Sequence, residues 1–180
     1  MADSGEFLSA PGVGRRWCLM AAEMKLIQGE FHCSLDERFR LSLPKNLVEQ
    51  LDIVGSGVVL AKERPGAISL WGGEQWQARH EADIGILQGK LDAGRLDDRI
   101  EELRQLGRLM STRHTEVNLS STGRFSIPQP FRSFLGVEAS GDVMVVGAAV
   151  CVEVWNPEAW VAYVGDQIPD FRQLLDELSS

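Results

Sequence analysis

Apolar and polar positions alternate through Phe31-His32-Cys33-Ser34-Leu35 and again through Arg40-Leu41-Ser42-Leu43. Both runs predict short β-strands, each with one buried face. The residues between them, Asp36 to Phe39, predict a turn in which the Asp36 carboxylate accepts from backbone N–H groups two residues on. Pro44 then suits the first turn of a helix, where no N–H is required. A short helix over Lys45–Leu51 follows, with Leu47, Val48 and Leu51 facing inward. Val58-Val59-Leu60-Ala61 and Ile68 to Trp71 read as buried strands joined through Arg64-Pro65-Gly66.

The same pattern returns 84 residues later. Leu119-Ser120-Ser121-Thr122-Gly123-Arg124-Phe125-Ser126-Ile127-Pro128 repeats the order strand end, polar turn, Arg, alternating run, Pro. Leu51 matches Leu135, Ser56-Gly57 matches Ser140-Gly141, and Trp71, Glu74 and Trp76 match Trp155, Glu158 and Trp160. From Gly29 to Trp76, 11 of 48 positions are identical to their partners, and four of the five Trp residues lie in those pairs. This is an internal duplication. The second copy predicts a helix over Gln129–Leu135 and strands over Val143–Val146 and Val150–Trp155. Asn156 is a suitable N-cap, followed by Pro157 at N1 and Glu158 in the first turn.

Three further helices are predicted. One runs from Glu74 to about Leu91. A second runs from Arg95 to about Met110, with Leu96, Ile100, Leu103, Leu106 and Leu109 on a helical period. The third, Pro157 to Leu178, is broken at Ile168-Pro169. Its Phe171, Leu174, Leu175 and Leu178 form an apolar stripe that packs on the parent fold or on a neighbouring subunit. Residues 1–23 have no periodicity and read as a disordered extension, or as sequence ahead of a later translation start. Arg15-Arg16 precedes an apolar run that stops at Glu23, too short for an export signal.

Charge and cysteine content narrow the function. The net charge is −8, and residues 156–180 carry −4 of it (Glu158, Asp166, Asp170, Asp176 and Glu177 against Arg172). The repeats themselves are close to neutral. Cys18, Cys33 and Cys151 are odd in number and unmatched in spacing, which points to a reducing compartment rather than a disulfide framework. No apolar run approaches the ~18 residues of a membrane span. His32, His80 and His114 are far apart in sequence with no ligand spacing, so no metal site is expected. No phosphate-binding glycine loop or nucleophile elbow is present, so neither an enzyme nor a cofactor is expected. The Trp pairs read as strand–helix anchors of the core.

The duplicated unit, with its DxxxR-type turn, strand, Pro, short helix, two strands and Trp-bearing helix, resembles the MraZ family over about Met24 to Trp160. The resemblance implies an α+β fold of two tandem pseudo-symmetric AbrB-like swapped-hairpin β-barrel units with flanking helices. It divides the chain into residues 24–112 and 113–180. It also implies a cytoplasmic, nucleoid-associated homo-oligomeric ring. That ring would bind short promoter repeats in double-stranded DNA and regulate, as a repressor, the bacterial division and cell-wall genes. No membrane or small-molecule partner is implied.

Carried over by position, Asp36 and Arg40 match the motif in full. In the second unit Gly123 and Arg124 match, but Ser120 stands for the Asp. In the first unit Phe39 stands for the Gly. The turn-forming residues are therefore Asp36, Ser120 and Gly123, and the candidate DNA contacts are Arg40 and Arg124. Arg38, Lys45, Arg132 and Arg113 are further candidates for phosphate. Two alternatives stand beside this. Arg40 could pair with Asp36 and only order the hairpin, or the chain could be a diverged oligomeric scaffold with weakened DNA binding. If both turns share one geometry, Phe39 must either be strained or force a different turn.

Overall fold

The computed structural model describes residues 26–51 and 57–180. The readings made for residues 1–23 and for Ser56 lie outside these. Eight strands and six α-helices follow in order: β1 (Glu30–Ser34), β2 (Arg40–Ser42), α1 (Lys45–Gln50), β3 (Val58–Arg64), β4 (Ala67–Gly72), α2 (Gly73–Asp92), α3 (Ile100–Arg113), β5 (His114–Val117), β6 (Arg124–Ser126), α4 (Gln129–Leu135), β7 (Asp142–Gly147), β8 (Val152–Trp155), α5 (Pro157–Gln167) and α6 (Phe171–Ser179). A 3-10 turn, Ile168–Asp170, separates the last two helices. That is the break expected at Pro169.

The strands form a six-stranded antiparallel sheet, β1-β7-β8-β4-β3-β5, and a separate two-stranded ribbon, β2-β6. Most of the pairing crosses between the repeats. β1 pairs with β7, β3 with β5, β4 with β8 and β2 with β6, whereas among the described residues only β3–β4 and β7–β8 pair within a repeat. The protein is thus α+β, with an antiparallel sheet and flanking helices. Among the described residues the sheet does not close into a barrel, and β1 and β5 are its edges.

One core serves both repeats. Leu41, Leu43, Leu47 and Leu60 of the first pack with Phe125, Ile127, Phe131, Leu135, Val143 and Val154 of the second. Leu41, Ile127 and Leu135 are completely buried. Each such side chain contributes about 1.5–3 kcal/mol, so neither ribbon strand is held by its few hydrogen bonds alone. Trp71, Trp76 and Trp155 are buried as anchors. The Asn156 side chain accepts from the N–H groups of Glu158 and Ala159, forming the expected cap.

Two expectations need correction. The second long helix begins at Ile100 rather than Arg95, because Gly94 adopts φ +64° and the chain turns through Asp97-Asp98 before the helix starts. Leu96 is lost from the stripe, and α3 has no buried residue. The strand expected from Val150 starts only at Val152, since Ala149 takes φ +62° just before it.

Candidate nucleic-acid interface

The β2–β6 ribbon separates its two faces by the alternation of a strand. Leu41 and Phe125 stand opposite each other and point into the core. Arg40 stands opposite Ser126, and Ser42 opposite Arg124, so all four of these side chains lie on the outer face. The ribbon therefore presents two Arg–Ser pairs related by the internal pseudo-symmetry. The repeat offset identified Ser42 and Ser126 as matched, but their place beside the arginines follows only from the cross-repeat register.

The two turns that enter the ribbon share one backbone geometry. Asp36 N–H donates to Arg40 O at 3.1 Å, and Ser120 N–H to Arg124 O at 2.9 Å. Phe39 N–H donates to Asp36 O at 2.9 Å, and Gly123 N–H to Ser120 O at 2.9 Å. The carbonyl of Phe39 accepts from Ile127 N–H and that of Gly123 from Leu43 N–H, both at 2.9 Å, so each turn is tied to the other repeat's strand. Phe39 accordingly takes φ +55° where Gly123 takes φ +76°. For a residue with a Cβ this conformation costs roughly 1–2 kcal/mol.

What sits beside each turn explains how both survive. Arg132 lies with its guanidinium carbon 4.3 Å from the Phe39 ring centroid, while its Nε donates to Ile127 O at 2.6 Å. The ring also packs against the core. These contacts offset the strain at Phe39. At the equivalent place in the first repeat stands Val48, and a Cβ on Gly123 would lie 2.5 Å from Val48 Cγ2. The exchanges Gly to Phe and Val to Arg are therefore complementary. One turn carries a ring and a stacking cation, and the other a glycine and a close-packed valine.

The missing second carboxylate is handled differently. Asp36 Oδ1 accepts from the N–H groups of Arg38 and Arg40 at 2.8 and 2.9 Å. Its Oδ2 accepts from Arg40 Nε and from Arg124 Nη2, each at 2.6 Å. Ser120 Oγ caps its own turn by accepting from Arg124 N–H at 3.0 Å, but it offers no charge. One carboxylate thus holds the arginines of both repeats. The backbone N–H of Arg40, then its side chain, then the Arg38 N–H keep the Asp36 carboxyl well below the usual carboxylate range. The Asp36–Arg40 pair, raised above as the alternative to DNA contact, is present, and the second arm, from Arg124, had no sequence signal.

Both guanidinium groups remain open. The side chains of Arg40 and Arg124 are 40% and 43% exposed, against 27% for Asp36. Arg40 uses Nε and Arg124 one terminal nitrogen on Asp36, so each keeps donors of its five for a ligand. Arg38 is exposed at the turn, and its side chain has no ion-pair partner among the described residues. Lys45 is exposed and lies 3.6 Å from Glu49. Arg113 is directed elsewhere, to Glu63 at 3.2 Å. Glu37 is exposed in the first turn.

Away from the ribbon, the histidines are not all far apart in space. The His80 and His114 rings are 5.0 Å apart beside Trp76, and burial together with the His80 charge lowers the His114 pKa. Trp76 Nε1 is buried with no partner among the described residues. His32 is exposed and Cys33 half-buried, as strand alternation requires.

A model of the family described as "MraZ protein, putative antitoxin-like" matches residues 110–177. Similar proteins carry the name "Transcriptional regulator MraZ". One from Alkaliphilus metalliredigens is 27% identical over 150 residues, covering 83% of this chain and 94% of that protein. One from Acetivibrio thermocellus is 28% identical over 154 residues, covering 86% and 97%. One from Thermus thermophilus is 27% identical over 132 residues, covering 73% and 83%. The resemblance to the MraZ family, first read from the duplicated turn, is shown by these matches.

Proposed function

We propose, on the premise that the chain is MraZ-like over most of its length, that it is a sequence-specific DNA-binding transcriptional regulator working as a homo-oligomeric ring. The observation that carries this reading is the outer face of the ribbon, where Arg40, Ser42, Arg124 and Ser126 stand together on a two-stranded antiparallel unit. A major groove admits such a ribbon, and an arginine can take guanine O6 and N7 with two donors. Hydroxyls beside the arginines suit either bases or phosphates. Arg38, at the turn, and Lys45 extend the positive surface toward the phosphate backbone, and Arg132 holds the first turn in place.

The pairing of each repeat with the other supports reading residues 24–112 and 113–180 as two interleaved halves of one AbrB-like swapped-hairpin unit. A single unit offers few cations on an acidic chain, so it binds weakly. A ring that places several ribbons on repeated sites multiplies affinity without new contacts. The family resemblance points to a promoter of division and cell-wall genes as the target and to the cytoplasm as the location.

The test is binding to the duplex upstream of the chain's own gene against a shuffled duplex at low salt, followed by fluorescence anisotropy. A clear preference that falls steeply with salt is expected. Equal affinity for both duplexes overturns the reading. A second reading, a ring that serves as a protein scaffold, is favoured by one observation: Asp36 neutralises part of both arginines. That reading predicts assembly without any DNA shift.

A further inference from the structure

We propose that the cavity between α2 and α3 is a binding site for a small organic acid, an apolar ring or branched chain that carries one carboxylate. None of the ribbon residues lines it, and the site stands or falls apart from DNA binding. Its volume is about 300 Å³, at the lower end of the range for small-molecule pockets. Leu87, Leu106 and Met110 supply an apolar wall, and the buried Trp76 indole adds an aromatic surface. Leu106 is still 37% exposed, so the cavity opens to solvent.

The charges around this wall select an anion. Two arginines, Arg79 and Arg113, and two histidines, His80 and His114, line the cavity against a single acid, Asp83. On a chain of net charge −8 this is a local reversal of sign. Arg113 is partly satisfied by Glu63 at 3.2 Å. Arg79 has no carboxylate partner among the described residues. Its guanidinium carbon lies 5.1 Å from the Trp71 ring centroid, a stacking contact that does not use its N–H donors. The two imidazoles are half-buried, with ring centroids 5.0 Å apart. Neither is in an ion pair among the described residues. Two rings this close disfavour double protonation until an anion lies beside them. A carboxylate meets that need, and a neutral ligand does not.

Proton uptake follows from the same cluster. Burial, then the His80 charge, hold His114 below the ordinary histidine pKa; Arg113 adds to them, and the Met110 carbonyl and Glu116 oppose them. The other charged groups at the cavity are Arg79 and Asp83 on α2 and Glu63 on β3, which is bound to Arg113. A carboxylate seated against the imidazoles stabilises their charged forms, so it binds more tightly as pH falls through the histidine range.

The probe is 1-naphthoate, with 1-naphthamide as its uncharged counterpart, each titrated into the full chain by isothermal calorimetry. Saturable binding is expected, about tenfold tighter for the naphthoate than for the amide, the margin of one charge-assisted hydrogen bond. Naphthoate affinity is expected to rise severalfold from about pH 8 to about pH 6, while that of the amide stays level. Leu106→Glu, a change at an exposed position, sets a second carboxylate in the wall and is expected to weaken naphthoate about tenfold. His80→Gln/His114→Gln is expected to remove the pH dependence. Circular dichroism checks the folding of each variant; should the double variant unfold, the wild-type pH profile and Leu106→Glu decide alone. Five results overturn the proposal: no saturable binding, equal affinity for naphthoate and its amide, an affinity independent of pH, undiminished binding by Leu106→Glu, or a pH dependence that survives loss of both histidines. A cavity closed by protein, from this chain or another, gives the first of these.

Discussion

Arg124 of the second repeat donates to Asp36 of the first at 2.6 Å, across 88 positions of sequence. Arg40 meets the same oxygen at the same distance. The two arginines are therefore one unit built on a single acid. Replacing Asp36 by Asn keeps an acceptor for the turn's backbone N–H groups and removes the charge that positions both guanidiniums. Affinity for random duplex is expected to rise several-fold, while discrimination for the promoter duplex falls about 5- to 10-fold, within the range set by one bidentate base contact. Anisotropy titrations of the two duplexes with both proteins measure this. Unchanged discrimination would show that the arginines need no orientation.

Acid should act through the same group. The folded pKa of Asp36 lies below its ordinary value because the Arg40 N–H and the neighbouring guanidinium stabilise the charged form. Its contribution to stability is therefore fully present above about pH 4 and is lost as pH falls through the depressed folded value. Wild type is expected to melt higher than Asp36→Asn at pH 7, with the gap narrowing steadily below about pH 4. Parallel melting curves across that range decide the matter, and a gap independent of pH rules out the charge as its source.

If the ribbon enters DNA, Arg40→Ala and Arg124→Ala should each weaken promoter binding, and the double variant should lose less than the sum of the two. Removing one partner leaves the other bound to Asp36 with a changed orientation, so the sites couple. Where an arginine touches phosphate, its loss lowers the salt slope by about 0.9. Titrations at several salt concentrations separate a phosphate contact from a base contact, which changes discrimination instead. Wild-type affinity in the double variant would remove the ribbon from the interface.

Local chemistry was legible where the physical cause is local. The Asp36 turn, the Asn156 cap and the break at Pro169 each depend on side-chain or ring geometry within a few residues. The strand exchange was not, because the alternation in Phe31–Leu35 is satisfied equally by a partner from either repeat. Phe39 posed a choice between strain and a new turn, and it was settled by Arg132, a residue that only the fold brings beside it. The start of α3 was missed because Leu96 extends the apolar period while Gly94 ends the previous helix. Arg124 looked orphaned by Ser120 because nothing in sequence links it to Asp36.

The two buried indoles on β4 and α2 should respond differently to loss of their N–H. Trp71 Nε1 donates to Ser69 Oγ at 2.7 Å, and Ser69 in turn donates to Glu63. Trp76 Nε1 has no acceptor among the described residues. Both changes to Phe leave a similar void, but only Trp71→Phe also breaks a buried hydrogen bond, worth about 1 kcal/mol. Urea unfolding is expected to place Trp71→Phe about that much below Trp76→Phe, and equal stabilities would contradict the assignment.

The complementarity of the two turns gives the sharpest test of the architecture. Gly123 sits at φ +76° with Val48 Cγ2 2.5 Å from where a Cβ would stand. Gly123→Ala therefore adds a left-handed penalty of roughly 1–2 kcal/mol to an overpacking cost of about 1–3 kcal/mol. The second term can be relieved without touching the first. Val48→Ala removes the clashing methyl groups, so Gly123→Ala/Val48→Ala should recover part of the loss, even though Val48→Ala alone destabilises. Because these residues belong to different repeats, recovery of this kind reports the packing of one half against the other. Simple additivity in urea unfolding would mean that the second turn is not seated on the first repeat's helix.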